Sequence, residues 1–148
     1  MSNREIKFRG KRVDNGEWVY GNYIKASNGI QEIHAILPIG ETIDVIIEVL
    51  PESVGQFTGL KDKNRVDVYD LDIVEGIFEV SKPATYHGSE MFTEYKVYGN
   101  VIYSNSGFAV FNQRKGSARN AWVYKSLSNI KEMKVIGNIH ENTELLES

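Results

Sequence analysis

No stretch of the 148 residues keeps the 3.6-residue apolar spacing of an amphipathic helix, whereas alternation at period two recurs along the whole chain. Parallel sheets need long crossover connections, usually helical, and none is visible. The pattern therefore restricts the chain to antiparallel strands joined by turns, an all-β class. Arg4 to Arg9 sets Ile6 and Phe8 on one face and Glu5, Lys7 and Arg9 on the other, which predicts a half-buried strand with solvated charges. Asp14-Asn15-Gly16 is a turn, and Trp18 to Ile24 returns as an aromatic strand. A first hairpin is expected over about 4–9 and 17–25.

The following segments continue the alternation. Ile30 to Leu37 is extended and ends at Pro38. Ile43, Val45, Ile47 and Val49 share a face, so the β-branched density predicts a strand to Pro51. Val54 to Thr58 reads as a short strand. Gly59 relaxes the backbone, and Lys61-Asp62-Lys63-Asn64 reads as an exposed turn with Asn64 suited to a left-handed conformation. Beyond it come Val66 to Tyr69, a corner at Asp70-Leu71-Asp72, and a strand from Ile73 to Val80. A long exposed loop over Ser81 to Met91 is expected next. Thr93 to Tyr103 and Phe108 to Phe111 form a hairpin, Gln113 to Asn120 is a polar basic loop, and Ala121 to Lys125 is short and extended. Leu127 to Ile130 suits a 3₁₀ turn, Met133 to His140 a closing strand, and Asn142 to Glu147 one frayed helical turn. Five strands with one helical turn before the last suggest an SH3-like barrel or roll over residues 61–148, with N-terminal β-hairpins of residues 1–60 packed on it. The length suits a single domain or two small subdomains.

The chain has no cysteine, so disulfides, thiolate zinc sites and cysteine nucleophiles are excluded. The start lacks a signal-peptide apolar core, and no apolar run reaches the ~18 residues of a membrane helix. The expectation is a soluble, unexported protein. The net charge is −3, yet residues 1–12 sum to +4 and residues 113–126 to +4, which leaves −11 for the remainder. Two basic segments on an acidic body can track phosphates or meet an acidic partner. The simpler reading is a solvated strand face and a loop.

Phosphate-cradling and nucleophile-elbow motifs are absent. His140-Glu141 carries only half of a zinc-protease motif, and His34, His87 and His140 are far apart in sequence. Asp67, Asp70, Asp72 and Glu75 form an acid-rich corner that fails the calcium-loop pattern for want of the central glycine. Asp70 and Asp72 would share a strand face, which suits acid–base chemistry and equally suits a solvated corner with a backbone-bonding carboxylate. The corner reading is preferred. Trp18, Tyr20, Tyr23, Tyr95, Tyr98, Tyr103, Trp122 and Tyr124 are interleaved with lysine and arginine. Such surfaces stack single-stranded bases or seat extended peptides, although most of these rings are expected in the sheet core.

Arg4-Glu5-Ile6-Lys7-Phe8-Arg9-Gly10, with Trp18-Val19-Tyr20-Gly21 after it, resembles the YopX family of phage and prophage proteins. The string Val54-Gly55-Gln56-Phe57-Thr58-Gly59-Leu60-Lys61-Asp62-Lys63-Asn64 carries the resemblance most specifically. Val135-Ile136-Gly137-Asn138-Ile139-His140-Glu141-Asn142 and Glu144-Leu145-Leu146 extend it to the end. One position departs: Leu71 stands where the family usually has glycine, so that corner lacks an easy positive φ. The resemblance implies a β fold with an SH3-like unit, a phage or prophage origin and a bacterial cytoplasmic location. It implies no activity and no catalytic residues.

Three functions are compatible with these features. The first is a non-enzymatic binding module for a host or phage macromolecule, with no cofactor and no membrane. The second is nucleic-acid binding through Lys7, Arg9 and Lys11 on one strand face and Arg114, Lys115 and Arg119 on the loop. The third is an enzyme built on Asp67, Asp70, Asp72 and His140. A homo-oligomer is compatible with all three.

Overall fold

The computed structural model describes the backbone of residues 5–83, 90–104, 107–113 and 122–146. Arg114, Lys115, Arg119 and His87 lie outside these residues. The fold is mainly β, with eleven strands and four single 3₁₀ turns among the described residues. The strands are β1 (Phe8–Lys11), β2 (Trp18–Ser27), β3 (Glu32–Pro38), β4 (Ile47–Glu48), β5 (Gly55–Lys61), β6 (Asp67–Tyr69), β7 (Asp72–Pro83), β8 (Glu90–Ser104), β9 (Gly107–Gln113), β10 (Trp122–Ser126) and β11 (Lys131–Asn138). Chain contacts divide it into two compact units, Met1–Gly59 and Leu60–Ser148.

In the first unit the order is β4-β3-β2-β1-β5, all neighbours antiparallel where the register is resolved. The β1–β2 hairpin turns at Asp14 to Gly16, where Gly16 takes φ 73°. Arg12 closes the turn with a bidentate bond to Asp14 at 2.9 and 2.7 Å. At the sheet centre Gly21 pairs with both Phe8 and Pro38. A Cβ there would sit 1.9 Å from the Leu37 carbonyl oxygen, so only glycine permits this approach of β2 to β3. The Val49 side chain fills the space above Gly10 in the same way, at 2.9 Å from a built Cβ. Bonds from Val13 N–H to Glu48 O (3.1 Å) and from Leu50 N–H to Lys11 O (2.8 Å) tie the β4 region to the end of β1.

Two sequence expectations fail in this unit. Ile43 to Val49 is not a strand: Ile43–Val45 is a 3₁₀ turn and only Ile47–Glu48 pairs with β3. The local reason is short-range bonding, since the Thr42 hydroxyl bonds the Asp44 carboxylate and Val45 N–H bonds Thr42 O. Short-range bonds of this kind compete with a ladder. The expected solvation of the strand's charges also fails at Arg9, while Phe8 is half-buried against Tyr23 and Ile6 lies before β1. Ile6 is 65% exposed and Arg9 only 7% exposed. Alternation located the strand without saying which face would be covered.

The second unit has the order β10-β9-β8-β7-β11, antiparallel throughout. Among the described residues the order runs from β10 to β11 without closing, so the structure shows an open antiparallel sheet and not a closed SH3-like barrel. The predicted loop over 81–91 is paired strand at its two ends, Ser81–Pro83 and Glu90–Met91, where β7 and β8 keep register out to Pro83↔Glu90; residues 84–89 lie outside the described residues. Pro83, Gly88 and the scarcity of aliphatics suggested a loop, but a two-stranded ribbon needs only backbone pairing. Val68, Val74, Val97, Val101, Val110, Leu127, Ile130 and Met133 form the core, each side chain contributing roughly 1.5–3 kcal/mol on burial. The turns Leu127–Asn129 and Thr143–Leu146 lie where helical turns were expected.

The corner between β6 and β7 places Leu71 at φ 69°. Its amide donates to Val101 O (2.8 Å) and its carbonyl accepts from Ile139 N–H (3.1 Å), so the geometry survives without glycine. A left-handed L-residue costs about 1–2 kcal/mol, and glycine would give back part of that through its freer unfolded chain. Leu71→Gly is therefore expected to raise stability by up to about 1 kcal/mol, and Leu71→Val to lower it. Urea denaturation midpoints check both.

Candidate binding surfaces

The cations of β1 were expected on a solvated face, and the structure does bring Lys7, Arg9 and Lys11 to one face. That face is aromatic. The Arg9 guanidinium lies 4.4 Å from the Trp18 ring centroid, with the Lys11 ammonium 5.4 Å away, while the Lys7 ammonium lies 4.6 Å from the Phe57 centroid. Register explains the match, because Lys11 pairs with Trp18 and Phe57 N–H bonds Lys7 O (2.8 Å). Such contacts contribute about 0.5–2 kcal/mol each, more as water is excluded. Lys7 also stands 3.5 Å from Glu5. These cations are thus engaged within the unit, and Arg9 is buried.

On the opposite face of β2 and β3 a polar chain runs that sequence reasoning missed. The Tyr23 hydroxyl bonds His34 Nδ1, His34 Nε2 lies 3.5 Å from Glu32 Oε2, and Lys25 Nζ lies 2.9 Å from Glu32 Oε1. Lys25 stands opposite His34 and Phe8 packs on Tyr23 at 5.6 Å between centroids. Lys25, by hydrogen bonding and charge, holds the Glu32 carboxyl below its ordinary value. The spacing of Tyr23 and His34 was readable only once the hairpin register was known.

The most distinctive surface of the first unit is the segment from Pro38 to Glu48. Glu41 N–H bonds Pro38 O (3.1 Å) across a turn in which Gly40 takes φ 82°, and the 3₁₀ turn follows at once. Two consecutive turns break the alternation and leave no strand to cover the apolar side chains. Ile39, Ile43, Val45 and Ile46 are 63%, 66%, 38% and 46% exposed. Glu41, Asp44 and Glu48 are exposed between and beside them. The Thr42 hydroxyl, then the backbone N–H of Asp44, hold the Asp44 carboxyl below its ordinary value against a smaller effect of burial. From residue 26 to residue 60 there are five acids and no lysine or arginine.

In the second unit the signature string ends in a built structure rather than an exposed turn. Asp62 is 6% exposed. Its Oδ1 accepts from Asn64 N–H (2.8 Å) and Val66 N–H (2.9 Å), and its Oδ2 from Val135 N–H (3.0 Å). Burial acts to raise its pKa, but the three amide donors together, with Lys134 nearby, bring it below the ordinary carboxylate value. The left-handed residue of this loop is Arg65, at φ 64°, not Asn64, because Asn64 N–H is committed to Asp62. Leu60, Lys61, Asp62, Lys63, Ser128 and Glu132 line a groove of about 250 Å³.

The acid corner is structural at one point. Asp72, 2% exposed, accepts the Tyr69 amide at 2.8 Å, and Asp67 pairs with Lys61 at 3.3 Å. Glu75 is exposed on β7. The His140 amide donates to the Asn138 side chain at 3.0 Å. The C-terminal string is a local knot. Asn142 Oδ1 accepts from Asn138 N–H (3.2 Å) in space that a Cβ on Gly137 would occupy, 2.6 Å away. Among the described residues there is no group of three or more potential metal ligands, and no helix is long and apolar enough to cross a membrane.

A family model described as YopX protein matches residues 7–147. No curated protein matches. Among solved structures, the crystal structure of protein EF1440 from Enterococcus faecalis is similar, with 24% identity, 96% of this chain and 98% of that chain covered, and a TM-score of 0.47.

Proposed function

We infer that this chain, which belongs to the YopX protein family, is a non-enzymatic binding protein of a phage or prophage that engages a protein partner in the bacterial cytoplasm. The observation that carries this reading is the segment Ile39 to Ile46, which holds four exposed aliphatic side chains in eight residues. Apolar surface concentrated in this way marks interaction sites more often than scattered single residues do. The segment is fixed by two turns, so little ordering entropy is lost when a partner covers it.

The nucleic-acid alternative draws on Lys7, Arg9 and Lys11, but Arg9 is buried against Trp18, a poor position for reaching phosphate. The SH3-like reading of residues 61–148 belongs to the same proposal. Its support is the strand order with one 3₁₀ turn immediately before β11.

Affinity capture from a bacterial host during phage infection tests the function. The expected result is a defined protein retained by the wild type and lost by Ile43→Ser/Ile46→Ser. Equal capture by both proteins, or nucleic acid retained with a steep salt dependence, would overturn it.

A further inference from the structure

The exposed aliphatic segment does not stand on neutral ground. Glu41 and Asp44 interrupt it, Glu48 closes it, and along the chain no lysine or arginine occurs between Lys25 and Lys61. Of the cations at the end of β1 beside Glu48, Arg12 is engaged by Asp14 and Lys11 lies over the Trp18 ring. The acids are exposed, and the Thr42 hydroxyl, by hydrogen bonding the Asp44 carboxylate, favours its charged form. An acidic or neutral partner would bring like charges together around the apolar contact, which costs several kcal/mol across an interface. A partner with cations beside its apolar anchors gains from each of them instead.

We propose that the surface formed by Ile39, Ile43, Val45 and Ile46 with Glu41, Asp44 and Glu48 docks a basic amphipathic protein segment, aliphatic side chains flanked by lysine or arginine. This rests on the protein-binding reading above and adds the partner's chemistry. The aliphatic groups take the anchors, and the carboxylates select against acidic competitors and steer encounter. The backbone turns at Pro38–Glu41 and Thr42–Val45 hold these groups in place before binding.

The test uses the full chain and three labelled peptides of equal length: leucine with lysine, leucine with glutamate, and lysine with serine. Fluorescence anisotropy reads affinity against salt concentration. The leucine–lysine peptide is expected to bind best, weakening as salt screens the charges. Glu41→Gln/Asp44→Asn/Glu48→Gln should weaken it by about tenfold or more, as should Ile43→Ser/Ile46→Ser. Neutralising Glu75, Glu94 and Glu144 in the other unit should leave it unchanged. All substituted side chains are exposed, and circular dichroism verifies folding. Preference for the leucine–glutamate peptide would overturn the partner chemistry while leaving the docking surface intact. Equal binding of leucine–lysine and lysine–serine peptides, or equal loss with the distant neutralised variant, would overturn the site itself. Absence of binding by all three peptides would overturn both the chemistry and the protein-docking reading.

Discussion

Gly21→Ala is expected to lower the unfolding free energy by roughly 3 kcal/mol or more, a large fraction of a typical domain's stability. The added carbon would stand 1.9 Å from the Leu37 carbonyl oxygen, 2.8 Å from its carbon and 2.9 Å from Pro38 Cα. All three are backbone atoms of β3, so no side-chain rotation relieves the overlap. The strands must separate, and Gly21 faces β1 on its other side through Phe8. Gly16→Ala is the control. Gly16 has φ 73° with nothing within 4 Å of a built Cβ, so only backbone strain of about 1 kcal/mol applies. Urea midpoints of the two variants should differ clearly. Equal midpoints would mean that β2 and β3 are not held at this separation.

Asp62→Ala is expected to cost roughly 3–5 kcal/mol. It strips an acceptor from three amides, and each buried unsatisfied donor costs about 1–3 kcal/mol. Asp62→Asn should cost less, since its carbonyl oxygen can still accept, but its amide group would face one of the three donors. The pH dependence follows from the lowered carboxyl pKa. Below its unfolded value of about 3.9, the unfolded chain binds a proton that the folded chain resists. The stabilisation is therefore present in full above about pH 4–5 and lost as pH falls through the folded value. Wild type and Asp62→Asn should differ in urea midpoint at neutral pH and converge in acid. A constant difference down to about pH 2 would show that the carboxylate charge is not what holds the loop.

Much of the strand placement was legible because period two is a strong signal and glycine and proline mark the turns. The hairpin of β1 and β2 and the 3₁₀ turn before β11 follow from local chemistry alone. What covers a face does not. Arg9, expected in solvent, is buried because its aromatic partner is Trp18 on another strand, and alternation carries no information about neighbours. Ile43 to Val49 satisfied every strand criterion, yet a threonine hydroxyl and an aspartate carboxylate two residues apart close a turn first. Asp62 is the converse case. Four polar residues in a row read as solvent-exposed, but one of them finds its third donor on β11. Leu71 shows that a backbone can keep a left-handed corner when bonds to residues 101 and 139 hold both sides of it.

The bond from Val135 to Asp62 spans 73 residues, and it imposes an order in time. A chain made from its N-terminus can pair β1, β2 and β3 early, and the β7–β8 ribbon soon after β8 is made. The Asp62 carboxylate must wait for residue 135, holding two local amides while the third does not yet exist. Loop closure across such a distance is slow relative to hairpin formation. Residues 61–66 should accordingly gain full hydrogen-exchange protection with β11 rather than with their sequence neighbours, so a strand made some seventy residues later completes a loop begun at Asp62.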